Sequence, residues 1–212
     1  PLLGAKLIPN ALETWPEESR SLFFGLILGT IPIPWIRIKD HRRRNVLFLL
    51  IAAAVSFLIV GIPPAELTDP GLIAVFFAAA LAICAMILPG VSGAFILLIL
   101  GMYVPVFEAI ESRDLTVIAV FALGAGLGLG SFALLLKALL EKAHDTTMAV
   151  LVGLMMGSLR SLWPWLAEDR GVLAPDTGDG FGIVFVLGLA GLAVSSVLTL
   201  IEFRASRSHS NS

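Results

Sequence analysis

The sequence predicts an all-α integral membrane protein, a polytopic helical bundle containing a re-entrant helical hairpin. Three observations predict it. Of 212 residues, 58% are hydrophobic and only 14% charged, where soluble domains carry about 25% charged residues. Mean hydropathy is correspondingly high, at +0.95. The apolar residues gather in long runs of the kind that membrane spans of roughly 17–25 residues require. Finally, Pro89-Gly-Val-Ser-Gly93 interrupts two strongly apolar runs, Leu72–Leu88 and Ala94–Phe107, that carry no charge. Proline removes a backbone donor and glycine permits left-handed dihedrals. In lipid each unpaired backbone group costs several kcal/mol, so such a break belongs where protein buries it or a polar cavity meets it. It marks a candidate substrate site.

Seven apolar segments follow in order: Leu22–Trp35, Val46–Gly61, Leu72–Leu88, Ala94–Phe107, Leu115–Leu136, Met148–Trp163 and Phe181–Phe203. Leu115–Leu136 and Phe181–Phe203 are long enough to cross outright, whereas the first, second and sixth extend into polar flanks. Asn45 before Val46, and Thr146 or Thr147 before Met148, have the side chains of helix N-caps. Four glycine pairs (Gly25/Gly29, Gly124/Gly128, Gly126/Gly130 and Gly153/Gly157) have the Gly-x-x-x-Gly spacing that lets helices approach closely. The run Gly124–Gly130 does not have the spacing or the strand context of a dinucleotide loop.

Basic residues set the topology. The loop Ile36–Asn45 holds Arg37, Lys39, Arg42, Arg43 and Arg44 and is placed in the cytoplasm; the acidic, proline-rich loop Ile62–Gly71 faces outward. If residues 72–107 enter and return, Lys137, Lys142, Arg204 and Arg207 join the basic loop inside. If they cross once, these four fall outside. The charge bias therefore favours an even number of crossings, which a re-entrant hairpin over 72–107 or two complete spans would supply. The whole of 1–212 reads as one membrane domain, with its C-terminus cytoplasmic. The start at Pro1, without a signal-peptide pattern, reads as a truncation or an internal cut.

Few residues carry chemistry. Arg160 stands near the end of Met148–Trp163. A charge at mid-membrane costs about 2.5–3.5 kcal/mol on insertion scales and so faces a cavity or a partner; an interfacial arginine flanked by the belt aromatics Trp163 and Trp165 is the equal alternative. Arginine's planar fork of donors suits phosphate best. Ser92 has no general base nearby, so a nucleophilic role is disfavoured; its hydroxyl, with Pro89, Gly90, Gly93 and the free N–H groups of a helix start, suits anion binding. Glu108 is a candidate ion-coupling carboxylate, though Glu108, Glu111, Arg113 and Asp114 also read as a solvated loop. Lys137 reads as an interfacial anchor and His144 as a loop histidine. Cys84, the single cysteine, packs as a small apolar residue. One cysteine and three scattered histidines do not make a metal site. No cofactor and no nucleic-acid partner are expected; a homo-oligomer is left open.

Three stretches carry a resemblance. Met86-Ile-Leu-Pro-Gly-Val-Ser-Gly-Ala-Phe-Ile-Leu-Leu-Ile-Leu-Gly-Met-Tyr103, Gly153-Leu-Met-Met-Gly-Ser-Leu-Arg-Ser-Leu-Trp-Pro-Trp165 and Phe23-Phe-Gly-Leu-Ile-Leu-Gly-Thr-Ile-Pro32 resemble the bacterial family called domain of unknown function 368. The resemblance implies a transporter of the bacterial cytoplasmic membrane. It would return undecaprenyl phosphate, the lipid carrier of cell-wall synthesis, from the outer to the cytoplasmic leaflet. It also implies two Pro-Gly-x-Ser-Gly hairpins in inverted halves; this chain shows one and so reads as the C-terminal portion. On that basis Ser92 and the backbone at Gly90 and Gly93 are expected to bind the phosphate, with Arg160 as countercharge. The alternatives are a small-solute or ion transporter, an intramembrane lipid-phosphate enzyme, which would need a histidine or carboxylate cluster near the hairpin, and a non-transporting scaffold.

Overall fold

The computed structural model describes residues 15–65, 67, 70–88, 92–167, 170–175 and 180–209, with side chains in the last helix described up to 201. These residues are helical apart from connections and one isolated antiparallel bridge between Leu166 and Val172. The helices are α1 (Pro16–Thr30), α2 (Pro32–Ile36), α3 (Arg43–Val60), α4 (Leu72–Ile87), α5 (Gly93–Ile99), α6 (Tyr103–Glu111), α7 (Leu115–Lys142), α8 (His144–Ser158) and α9 (Phe181–His209). Residues 16–36, α3, α7 and 181–201 are each long and apolar enough to cross a membrane.

Local chemistry explains the boundaries. Pro16 opens α1 with Glu17 and Glu18 in the first turn, where carboxylates complement the helix dipole. Asp114 caps α7 by accepting from the N–H groups of Thr116 (2.9 Å) and Val117 (3.2 Å). The expected N-caps fall elsewhere. α3 begins at Arg43, so Asn45 lies within its first turn, where its side chain donates to the Asp40 carbonyl at 2.8 Å. α8 begins at His144; Thr146 and Thr147 therefore lie inside it, and Thr147 Oγ1 donates back to the Ala143 carbonyl at 2.9 Å. The apolar segment Ala94–Phe107 is not one helix: α5 and α6 meet at 107°. Gly101 makes that corner at φ 69°, with the backbone of Ala65 and Leu67 close against it.

The helices pack as three close pairs, α1 with α9, α3 with α8, and α4 with α7. Glycine fixes each register. A side chain at Gly25 would strike the backbone of Gly188, and one at Gly29 the Ser195 hydroxyl, close to the carbonyl of Leu192. Likewise Gly153 and Gly157 face the carbonyls of Leu49 and Ala53, and Gly124 and Gly128 the backbone of Phe76 and Ala80. Both partners advance by four residues each time, so every pair is parallel. Gly126 and Gly130 meet nothing within 4 Å. Each pair carries a side-chain to backbone bond across it: Ser21 Oγ to the Val184 carbonyl (2.6 Å), Ser56 Oγ to that of Leu154 (3.1 Å) and Cys84 Sγ to that of Gly128 (3.5 Å). Such bonds average about 0.6 kcal/mol in membrane proteins, so close packing of small residues carries the larger share. The outer faces are apolar and open, with Ile73 76%, Leu115 75% and Leu134 71% exposed, as a lipid-facing surface requires.

α4 and α5 form the doubled-back element. Gly93 lies against the Ala82 carbonyl and Met86 near the end of α4, while Met102, beyond α5, packs on Val75 and Ala78 near its start. The Ala65 N–H donates to the Leu98 carbonyl at 3.2 Å, so the end of α5 returns to the loop that precedes α4. At the opposite end of the bundle the basic loop is clasped onto α8. The Asp145 carboxylate accepts the N–H groups of Lys39 (3.1 Å) and Asp40 (2.9 Å), and Thr146 Oγ1 donates to Asn45 Oδ1 at 2.9 Å. These N–H donors and the His144 ring hold the Asp145 carboxyl below the usual aspartate range.

Candidate anion-binding site

The charged groups of interest lie at the end away from the basic loop. α8 stops at Ser158, and a 3-10 turn over Leu159–Leu162 carries the chain toward Pro164, which cannot continue a helix. That turn brings Arg160 back over α3. Its Nη1 donates to the Phe57 carbonyl and its Nη2 to the Arg170 carbonyl, both at 3.0 Å, and the guanidinium lies 4.6 Å from the Phe57 ring centroid. Its Nε is buried with no hydrogen-bond partner among the described residues. Gly61 makes the room: a Cβ there would land on the guanidinium.

Arg170 sits in a tight turn at φ 63°, where the Ala167 N–H donates to the Gly171 carbonyl and the Arg170 N–H to that of Ala167, both at 2.9 Å. The turn points the Arg170 guanidinium across to α3 and α5. Nη1 reaches the Val60 carbonyl at 3.4 Å, and the group rests 4.2 Å from the Phe95 ring centroid. Burial, then the neighbouring charges of Arg20 and Arg160, lower the pKa of Arg170; an arginine stays cationic at neutral pH regardless. Arg20, Arg160 and Arg170 thus form a cluster of like charge. Among the described residues none of the three is in an ion pair; the partners of Arg160 and Arg170 are backbone carbonyls and aromatic faces. Glu168 and Asp169 lie outside the described residues. Positive charge of this kind, partly desolvated and presented as planar forks, is suited to a phosphate.

Two of the expected phosphate ligands, Pro89 and Gly90, lie outside the described residues. Ser92 is the N-cap of α5, its Oγ accepting the Phe95 N–H at 3.4 Å. No hydrogen bond between Ser92 and Arg160 occurs among the described residues. The link is indirect, through Phe95 one turn on and the Arg170 that covers it. Gly93 has a packing reason of its own, its contact with the Ala82 carbonyl. Glu108 is exposed and lines a separate cleft of about 310 Å³ with Ala65, Leu98 and Tyr103. Arg160 is partly buried against protein and stands near Trp163, whose Nε1 donates to the Leu173 carbonyl at 3.0 Å. Arg170 and Arg20 are absent from the sequence-derived site. Counting spans could have found them, because both fall at the same end of the bundle as Arg160. Among the described residues no three His, Cys, Asp or Glu side chains gather as a metal site.

Below the arginines, Ile59, Leu81, Leu88, Phe95, Ile99 and Leu154 line an apolar cleft of about 370 Å³ between α3, α8 and the α4–α5 element. A second apolar cavity of about 350 Å³ lies between α1, α9 and the Trp163–Trp165 segment.

Apolar outer faces, spans joined in parallel pairs and a partly buried cationic cluster at one end define a polytopic helical membrane protein. The family model described as undecaprenyl phosphate translocase-like matches residues 2–177, and the chain belongs to that family. It is 42% identical over 161 residues to a curated protein of Vibrio cholerae serotype O1 named polyprenyl-phosphate transporter, a match covering 76% of this chain and 52% of the relative. The chain thus spans about half the length of that relative. No solved structure matches it.

Proposed function

We propose that this chain is part of a transporter that carries a polyprenyl phosphate, undecaprenyl phosphate in particular, from the outer to the cytoplasmic leaflet of the bacterial cytoplasmic membrane. The observation that carries the reading is the Arg160–Arg170 pair, whose hydrogen-bond partners among the described residues are carbonyls, at the end opposite the basic loop. Arg37, Lys39, Arg42, Arg43, Arg44 and Lys142 gather at the basic end, which the positive-inside rule assigns to the cytoplasm. The arginine cluster then faces the outer leaflet, where an anionic headgroup would be collected. Residues 72–107 serve as the re-entrant element, and Pro89, Gly90, Ser92 and Gly93 line the next stage of the path. Inward movement of an anion opposes an inside-negative potential by about 2.3 kcal/mol per charge per 100 mV. Transport therefore needs a coupled ion or consumption of the product, and Glu108 is our candidate for the coupling carboxylate.

Leaflet-resolved transport of undecaprenyl phosphate in liposomes, using the full-length protein, tests this reading. A hydrogen bond to a charged group is worth about 1.5–3 kcal/mol and a neutral one about 0.5–1.5 kcal/mol. Arg160→Gln and Arg170→Gln should lower uptake about tenfold or more, and Ser92→Ala by a smaller factor. Glu108→Gln should leave lipid binding intact and remove the response to a proton gradient. Wild-type uptake in both arginine variants would overturn the assignment. Uptake of a water-soluble solute, indifferent to polyprenyl phosphate, would favour a solute transporter.

A further inference from the structure

The headgroup reading leaves open where the lipid chain goes. A phosphate on Arg160 and Arg170 is covalently tied to its first isoprenoid units, so an apolar path must begin within a bond or two of the guanidinium groups. The cleft between α3, α8 and the α4–α5 element begins there. Phe95 and Val60 line it, and these two residues carry the Arg170 guanidinium, one by its ring and the other by its carbonyl. The aromatic cavity beside α1 and α9 contains neither residue.

Charge and shape both fit an amphiphile. The cleft walls are almost wholly apolar, and two of the residues that line it, Phe95 and Val60, contact the Arg170 guanidinium. Its volume of about 370 Å³ lies near the lower end of the roughly 300–1,000 Å³ range of ligand pockets, enough for a few prenyl units and not for a whole chain. Leu81 and Ile59 on its rim are 56% and 40% exposed, so the cleft opens sideways toward lipid, where the remainder of the chain can stay. Leaving lipid for an apolar cleft gains nothing from the hydrophobic effect, because lipid tails are equally apolar. What the cleft supplies is van der Waals fit, which separates a methyl-branched, unsaturated chain from a straight acyl chain.

We propose that this cleft is the prenyl-chain subsite, holding the first isoprenoid units of the polyprenyl phosphate whose headgroup sits on Arg160 and Arg170. The inference rests on the transport reading above. Phe95 joins the two parts, supporting the arginine on one face and the lipid chain on the other.

A prenyl phosphate bearing a photoreactive group on its second isoprenoid unit tests it. The probe is cross-linked to the full-length protein in liposomes, and labelled peptides are mapped by mass spectrometry. Labels on Leu81–Leu88 and Ile96–Leu100 are expected. They should be suppressed by excess unlabelled prenyl phosphate, and far less by a phosphatidic acid with straight chains. Cleft filling by Ala85→Leu, or by Ile99→Phe should one variant misfold, is expected to reduce that labelling at least fivefold. It should do so while inorganic phosphate still protects the arginine-bearing peptide from a guanidine-modifying dicarbonyl. Competed labels confined to the α1–α9 cavity or the lipid-facing helices would overturn the chain subsite and leave the transport reading standing. Equal suppression by phosphatidic acid would overturn the selectivity the cleft is assigned. No competed label anywhere would overturn both the subsite and the transport reading.

Discussion

α7 contains its own control for the helix-pairing scheme. Gly124 and Gly128 face α4; Gly126 and Gly130, on the same helix and in the same apolar stretch, face open space. An alanine methyl at 128 would stand 2.7 Å from the Ala80 Cα and 2.8 Å from its carbonyl oxygen, both backbone atoms that no rotamer change can clear. Overpacking of this kind costs about 1–3 kcal/mol. The gain in helix propensity from glycine to alanine, about 0.5–1 kcal/mol, offsets part of it. Gly128→Ala should therefore destabilise the fold by about 1–2 kcal/mol, a factor of roughly 5–30 in the folded-to-unfolded ratio. Gly126→Ala and Gly130→Ala keep the gain without the clash and should be neutral or up to about 1 kcal/mol more stable. Denaturant titration in detergent micelles, followed by far-ultraviolet circular dichroism, measures all three. If Gly126→Ala proved as harmful as Gly128→Ala, the parallel register of α4 and α7 would be wrong.

Gly61→Ala should act on the site without removing any charge. Its φ of −83° and ψ of −4° suit alanine, but the new methyl displaces the Arg160 guanidinium. Lipid binding should fall, and Gly61→Ala combined with Arg160→Gln should cost no more than Arg160→Gln alone; additive losses in that double-mutant cycle would show that the two residues act separately. At the other end, the Asp145 carboxyl is held below its ordinary range, so its clasp on the Lys39 and Asp40 amides is present at neutral pH and lost as pH falls through the lowered pKa. The protection of those two amides, taken relative to intrinsic exchange at each pH, should fall on acidification below the ordinary aspartate range. It should be low at all pH values in Asp145→Asn, and unchanged protection in that variant would remove the clasp from the account.

The helices were legible because charge-free apolar runs have few alternatives, and the glycine pairs were legible as faces of close approach. Neither revealed which face meets which. Gly-x-x-x-Gly marks a surface and not a partner, and Gly126/Gly130 has the same spacing as Gly124/Gly128 with nothing opposite it. Boundaries slipped where a side chain had a choice of backbone partner. Thr147 has the chemistry of a cap, yet it bonds backward to Ala143 once the helix starts at His144. Arg160 stood out because it is a charge at the edge of an apolar run. Arg170 did not, because in sequence it belongs to a polar turn. Only a left-handed backbone and a ring supplied from α5, 75 positions earlier in the chain, bring it to the site. The near-equal apolarity of every wall hid the cleft, since composition carries no information about where packing leaves a gap.

The pairing of α1 with α9 has a consequence for biosynthesis. Ser21 and its acceptor, the Val184 carbonyl, are separated by 163 residues. At about 5–20 residues per second, the ribosome takes roughly 8–30 s to make the partner after α1 has emerged. Throughout that interval the small-residue face of α1 and the Ser21 hydroxyl are without the partner that they have in the folded bundle. α1 thus waits for α9, and this pair closes only after the helices between them have been made. A nascent chain arrested before Phe181 should leave α1 free to leave its place in the membrane, and release of α9 should be the event that fixes it.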